Sequence, residues 1–204
     1  TTMRTDTFEA LRRRVPFLDQ IKGFLAPEEG EALYRAGREC GGLGRPCLEI
    51  GGYCGRSTVY LGLGVRDAGG ILFSIDHHCG SEEHQPGEGF HDPELFDRQR
   101  ECMDSFPEFR CTVSRAGLAD TVVPVVAPSA VTARMWVTPL SLVLIDGGHS
   151  PEAAWTDYRG FASHVVPGGL LAIHDVFLDP HEGGQAPREI RDAALASGLF
   201  RSES

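Results

Sequence analysis

The sequence predicts an α/β fold: a doubly wound, mostly parallel sheet with an N-terminal helical cap. Three observations carry this. Apolar runs at 47–50, 71–75, 121–126, 140–145 and 170–173 are continuous rather than alternating, as expected of strands buried on both faces. Segments of helical length lie between most of them. The first run opens into Gly51-Gly52-Tyr53-Cys54-Gly55, a glycine-rich turn that leads directly to a helix start.

The bulk properties narrow the class. A chain of 204 residues with 41% hydrophobic residues can bury the core of one domain. A formal net charge of −10 and a pI near 5.2 argue against a nucleic-acid or anionic-membrane partner and against a polyanionic substrate. No apolar run reaches the roughly 18 residues of a membrane helix. Thr1–Arg14 is polar, with three consecutive arginines and no apolar stretch behind them, so it does not read as a secretory signal and the expected location is cytoplasmic. Six cysteines without a C-x-x-C pair read as reduced structural thiols, with Cys47 and Cys111 expected as small buried hydrophobes.

Residues 1–44 are expected to form the helical cap and residues 45–204 one compact domain. Thr7 caps a helix over Phe8–Val15, and Pro27 with Glu28 and Glu29 opens a second, in which Ala32, Leu33, Ala36 and Cys40 share a face. Cys47–Ile50 is the first strand, with Ser57 and Thr58 placed to cap the helix Thr58–Arg66. Gly62 and Gly64 would let that helix pack closely on the sheet. Ile71–Ile75 is the second strand. Residues 77–93 are polar, rich in His and acids and aperiodic, which predicts a functional or disordered loop. A helix over Glu94–Phe106 is expected to end at Pro107. Thr121–Val126 is a strand that Pro124 assigns to an edge or a bulge, and Ser129–Trp136 a short helix. Leu140–Ile145 is a strand. Ser150-Pro151-Glu152 starts a helix whose buried face is Trp155, Tyr158, Phe161, Ala162 and Val165. Pro167-Gly168-Gly169 turns the chain into a strand Leu170–Ile173, Arg188–Gly198 is helical, and Leu199–Ser204 begins a further strand. Trp136 and Trp155 are expected in the core.

Four strand ends carry acids: Glu49, Asp76, Asp146 and Asp175. Ligands of such sheets bind outside the carboxyl ends of the strands, so one rim gathers the glycine turn, the carboxylates and His149 and His174. Asp76, at the end of the second strand, suits a carboxylate accepting ribose hydroxyls.

Leu48–Ser57, Ser74-Ile75-Asp76, Leu144–Ser150 (Leu-Ile-Asp-Gly-Gly-His-Ser) and Val166–Asp175 together resemble class I S-adenosylmethionine-dependent methyltransferases. The likeness covers about residues 45–198 and is nearest to a bacterial Asp-Gly-Gly-His group similar to O-methyltransferases of sugars and natural products. It implies a Rossmann-like fold and the cofactor S-adenosylmethionine. Glu49, Gly51, Gly52, Tyr53, Gly55 and Ser57 would line the methionine and ribose side. Asp76 would hold the ribose with His77 beside it, Ser129 would meet the adenine, and Asp146 would close the site. Related metal-dependent members imply a divalent metal, Mg²⁺ or Mn²⁺, on Asp146, His174 and Asp175, where the family more often has Asp-Asp or Asp-Asn in place of His-Asp. His149 and His174 are the two candidate bases. The family's sheet ends in an antiparallel hairpin that is incomplete here, and an uncovered edge would favour a homo-oligomer. The other readings are an NAD(P)-dependent dehydrogenase, against which the glycine spacing speaks, and a non-catalytic nucleoside-binding protein.

Overall fold

The computed structural model describes residues 6–202. In chain order, α1 (Phe8–Arg14) and α2 (Pro27–Gly41) precede β1 (Cys47–Ile50), α3 (Arg56–Asp67) and β2 (Leu72–Asp76). A two-stranded ribbon, β3 (Phe96–Asp97) and β4 (Cys102–Met103), leads to α4 (Phe106–Arg115), β5 (Val122–Val126) and α5 (Ser129–Ala133). Then come β6 (Leu140–Ile145), α6 (Pro151–Phe161), β7 (Val165–Ile173) and α7 (Ala186–Ala196). The main sheet is parallel throughout, in the order β5-β2-β1-β6-β7. The chain runs outward from β1 to β2 and β5, then returns to β1's other side with β6. This reversal opens the crevice at the carboxyl ends of β1 and β6, where ligands of doubly wound sheets bind.

The side chains of the central strands alternate between two cores. Cys47, Leu72, Leu142 and Leu144 belong to one core cluster with Leu33 of α2, Leu61 of α3 and Phe109 of α4, which Leu11 of α1 joins. Leu48, Ile50, Ile75, Val143 and Ile145 face the other way, against Ala154 and Phe161 of α6 and Ile190 of α7. Trp136 and Trp155 pack on this second core, as expected. The glycines of α3 have a different use from the one the sequence suggested. A Cβ on Gly64 would lie 2.1 Å from the Tyr34 carbonyl oxygen of α2, so this glycine brings two helices together rather than helix and sheet. Gly62 does face the sheet side: a Cβ there would lie 3.1 Å from Leu118 and 3.3 Å from Val122 of β5.

Three element assignments change. Pro107 does not end a helix; it sits in the first turn of α4, where its missing N–H has no partner to lose. The expected helix 94–106 is instead a 3₁₀ turn at Pro93–Leu95 and the β3–β4 ribbon, whose bend is held by Asp97 Oδ1 accepting from the Gln99 and Arg100 amides. Consequently Cys111 lies exposed on α4, whereas Cys47 is enclosed. Pro167-Gly168-Gly169 lies inside β7 as an irregularity: β6 residues Leu140 and Leu142 pair with Val165 and Leu170. β5 is an edge strand, as Pro124 indicated. Leu199–Ser202 form no strand, and residues 203–204 of that expectation lie outside the described residues. Among the described residues no helix is long and apolar enough to cross a membrane.

Candidate active site

The glycine turn is pressed onto the end of β6. The Asp146 amide donates to the Ile50 carbonyl at 2.9 Å, and a Cβ on Gly51 (φ +95°) would fall 2.0 Å from the Asp146 carbonyl oxygen. Gly51 therefore fixes how closely the turn approaches the acid that follows β6. A Cβ on Gly52 would come within 2.6 Å of Ser74 Oγ. Gly55, also left-handed, is the N-cap of α3, in place of the hydroxyl caps expected from Ser57 and Thr58.

Those hydroxyls serve Glu49 instead. Its carboxylate is fully enclosed and accepts from Ser57 Oγ (2.5 Å), Thr58 Oγ1 (2.6 Å) and Ser74 Oγ (2.8 Å). Burial pushes Glu49 up to about 7 although three donors favour its charge. Glu49 and Ser57 thus brace the turn from beneath, joining β1, β2 and α3. Asp76, at the partly exposed end of β2, accepts the Tyr53 amide at 2.8 Å on one oxygen and the His78 amide at 2.7 Å on the other. Both oxygens keep lone pairs for a diol. His77 beside it is exposed, its Nδ1 accepting from the Cys79 amide at 3.0 Å.

Across the crevice, the ends of β6 and β7 bring Asp146, His174 and Asp175 together, with one potential ligand atom from each within 4.8 Å of the others. His174 Nδ1 lies 3.0 Å from Asp146 Oδ1 and 3.3 Å from Asp175 Oδ2, yet neither buried ring nitrogen makes a hydrogen bond of acceptable angle. Two carboxylates and an imidazole converging on one point, with the ring nitrogens poorly aimed at the acids, form an arrangement a cation fits, so this donor set suits a divalent metal. Asp146 and then Asp175 push His174 up to about 11, so a proton and a cation compete for Nδ1. Asp175 (φ +55°) is drawn well below the usual carboxylate range by His149 and His174, whereas burial raises Asp146. His149 bridges two acids, Nε2 lying 3.0 Å from Asp175 and Nδ1 3.3 Å from Glu83, and the contact with Asp175 leads in raising it.

Other groups enter that the sequence did not single out. Glu83 brings the 77–93 loop onto His149. Glu29, at the start of α2, reaches His174 Nε2 at 3.4 Å. Lys22 ties its segment to the loop through Asp92 and Glu94, both at 2.6 Å, and Arg56 holds the Ile21 and Gly23 carbonyls. Asp157 is buried on α6, one oxygen lacking a partner among the described residues, and burial raises it to about 6. A Cβ on Gly147 would be 2.8 Å from its Oδ2, and Ser129 acts on it from α5. An acid set between Trp155 and Tyr158 of an otherwise apolar helix face was the available signal.

Residues 48–176 match a family model described as a methyltransferase domain. Similar solved structures include the O-methyltransferase NovP (16% identity, covering 87% of this chain and 75% of that one, TM-score 0.66). An O-methyltransferase from Bacillus cereus in complex with SAH shares 18% identity over 96% and 81% of the two chains, at TM-score 0.59. TomG, an O-methyltransferase from Streptomyces achromogenes involved in tomaymycin synthesis and solved with SAM, shares 16% over 98% and 80%, at TM-score 0.55. At these identities the structural likeness shows the shared Rossmann-like fold.

Proposed function

We propose, because the chain belongs to the methyltransferase-domain family, that it transfers a methyl group from S-adenosylmethionine to a hydroxyl of a small molecule. The observation that carries this reading is the convergence, on one rim, of the Gly51–Gly55 turn, the Asp76 carboxylate and the Asp146–His174–Asp175 cluster. Solved O-methyltransferases of the same fold, two of them described with SAM or SAH, support it.

The roles we assign rest on the resemblance to class I methyltransferases, and the geometry supports them. Asp76, pre-oriented by two backbone amides, accepts the ribose hydroxyls. The turn, braced by Glu49 and Ser57, takes the methionine part beside Tyr53. Ser129, with Asp157 behind it, faces the adenine. The sulfonium supplies an activated methyl group, so the chain's main task is alignment of the acceptor oxygen. Asp146, His174 and Asp175 would hold Mg²⁺ or Mn²⁺, which as a Lewis acid lowers the acceptor hydroxyl's pKa. With His174 engaged as a ligand, His149, whose Nε2 lies 3.0 Å from Asp175, is the group beside the cluster left to take the acceptor's proton. Six free thiols fit a reducing compartment such as the cytoplasm. β5 and β7 each leave one edge unpaired among the described residues, which supports a homo-oligomer.

The test is transfer of labelled methyl from S-adenosylmethionine to a panel of hydroxylated sugars and secondary metabolites, with and without chelator. Label on oxygen, dependent on added Mg²⁺ or Mn²⁺ and lost in His174→Ala, supports the reading. Protection from heat by NAD(P) but not by SAH would replace it with a dehydrogenase.

A further inference from the structure

Beside the glycine turn lies a cavity of about 390 Å³ whose walls include Lys22, Phe24, Tyr53, Phe90 and Asp92. Its apolar part is made of rings. Phe24 and Phe90 meet edge to face, with centroids 5.0 Å apart. Tyr53 lies 6.1 Å from Phe24 at a shallow 29° and is backed by His84, stacked on it at 5.0 Å. Phe24 is 60% exposed and Phe90 51%, an unusual exposure for two large rings in contact with each other. Burial lowers His84, so it stacks as a neutral ring.

Two of the slot's polar side chains are already engaged. Lys22 is paired with Asp92 and Glu94, and His91 Nδ1 is held on the His84 carbonyl at 2.9 Å. A sugar, which needs a donor or acceptor for most of its hydroxyls, finds few here. A planar ring finds both faces and edges to pack on. The slot also adjoins the reaction site: Tyr53 belongs to the glycine turn, and Glu83, next to His84, contacts His149.

We propose that this slot binds a planar aromatic ring carrying a hydroxyl, and so selects phenolic acceptors over sugars. The selection of a methyl acceptor rests on the methyl-transfer reading; the binding of the ring does not. The ring would lie against the exposed sides of Phe24, Phe90 and Tyr53, with its hydroxyl directed toward His149 and the Asp146–His174–Asp175 cluster.

The experiment is calorimetric titration of the whole chain, with and without saturating SAH, using a naphthalenediol and the decalindiol of the same skeleton. The naphthalenediol should bind about ten-fold more tightly than its saturated counterpart. Phe24→Ala and Phe90→Ala, both at exposed positions, should each abolish about that preference while leaving SAH affinity unchanged. Equal binding of the two diols overturns the proposal. So does a parallel loss of SAH and naphthalenediol affinity in the variants, which would assign the slot to the cofactor. If the naphthalenediol binds with the expected preference but SAH does not bind at all, the aromatic slot stands and the methyl-transfer reading falls.

Discussion

Glu49→Gln isolates the most unusual buried group of the site. The wild-type carboxyl is fully enclosed among three hydroxyls, and burial raises it from 4.5 to about 7. A folded-state value above the unfolded one means the folded protein loses stability as pH rises from about 4.5 through 7, where the unfolded chain ionises first. At about 1.4 kcal/mol per unit, the difference reaches about 3 kcal/mol above pH 7. Glutamine has similar shape, can accept on its oxygen and donate to Ser57 Oγ, and carries no charge to desolvate. The variant should therefore match wild type near pH 4 and be more stable by up to about 3 kcal/mol at pH 8. Urea denaturation of both proteins at a series of pH values measures this, and the difference curve cancels the titrations of His149 and His174 that the two share. A difference independent of pH would refute the assignment of a raised Glu49. A variant less stable at pH 8 than at pH 4, relative to wild type, would reverse its sign.

Two further substitutions separate the site from the core. Gly51→Ala places a methyl 2.0 Å from the Asp146 carbonyl oxygen at a left-handed φ, so the turn must move off β6 at a cost on the order of 1–3 kcal/mol; SAH titration should show at least about a ten-fold loss of affinity. Phe161→Ala empties a fully buried position against Trp136 in the second core and should lower unfolding free energy by about 3–5 kcal/mol in urea; the crevice lies on the far side of these contacts, so SAH affinity of the folded fraction should stay unchanged.

The parallel sheet was legible because its strands are continuous apolar runs, and the rim because each central strand ends in an acid or a glycine turn. What misled was punctuation. Pro107 has the same local signature at a helix start as after a helix end, and only the Asp97-anchored ribbon before it decides which. Pro167-Gly168-Gly169 reads as a turn, yet β7 absorbs it because an irregularity is tolerated where one side of the strand has no partner. Gly64 carries no mark of which partner it admits, because contact with Tyr34 depends on how α2 crosses α3. Within the site, Asp76, Asp146, His174 and Asp175 could be named from strand ends alone. Glu83, Glu29, Lys22 and Asp157 could not, since each reaches the site through the placement of a loop or helix that has no period to read. The sequence also could not distinguish a carboxylate lining the crevice from one bracing it. For Glu49, three hydroxyls contributed by α3 and β2 make it the brace.

The central claim is that this rim binds a sulfonium nucleoside through Asp76, and calorimetric titration with SAH tests it most directly. Wild type should bind stoichiometrically, and Asp76→Ala should lose at least about ten-fold in affinity while its unfolding transition stays cooperative. SAH that fails to bind wild type, or binds Asp76→Ala equally well, would contradict the account.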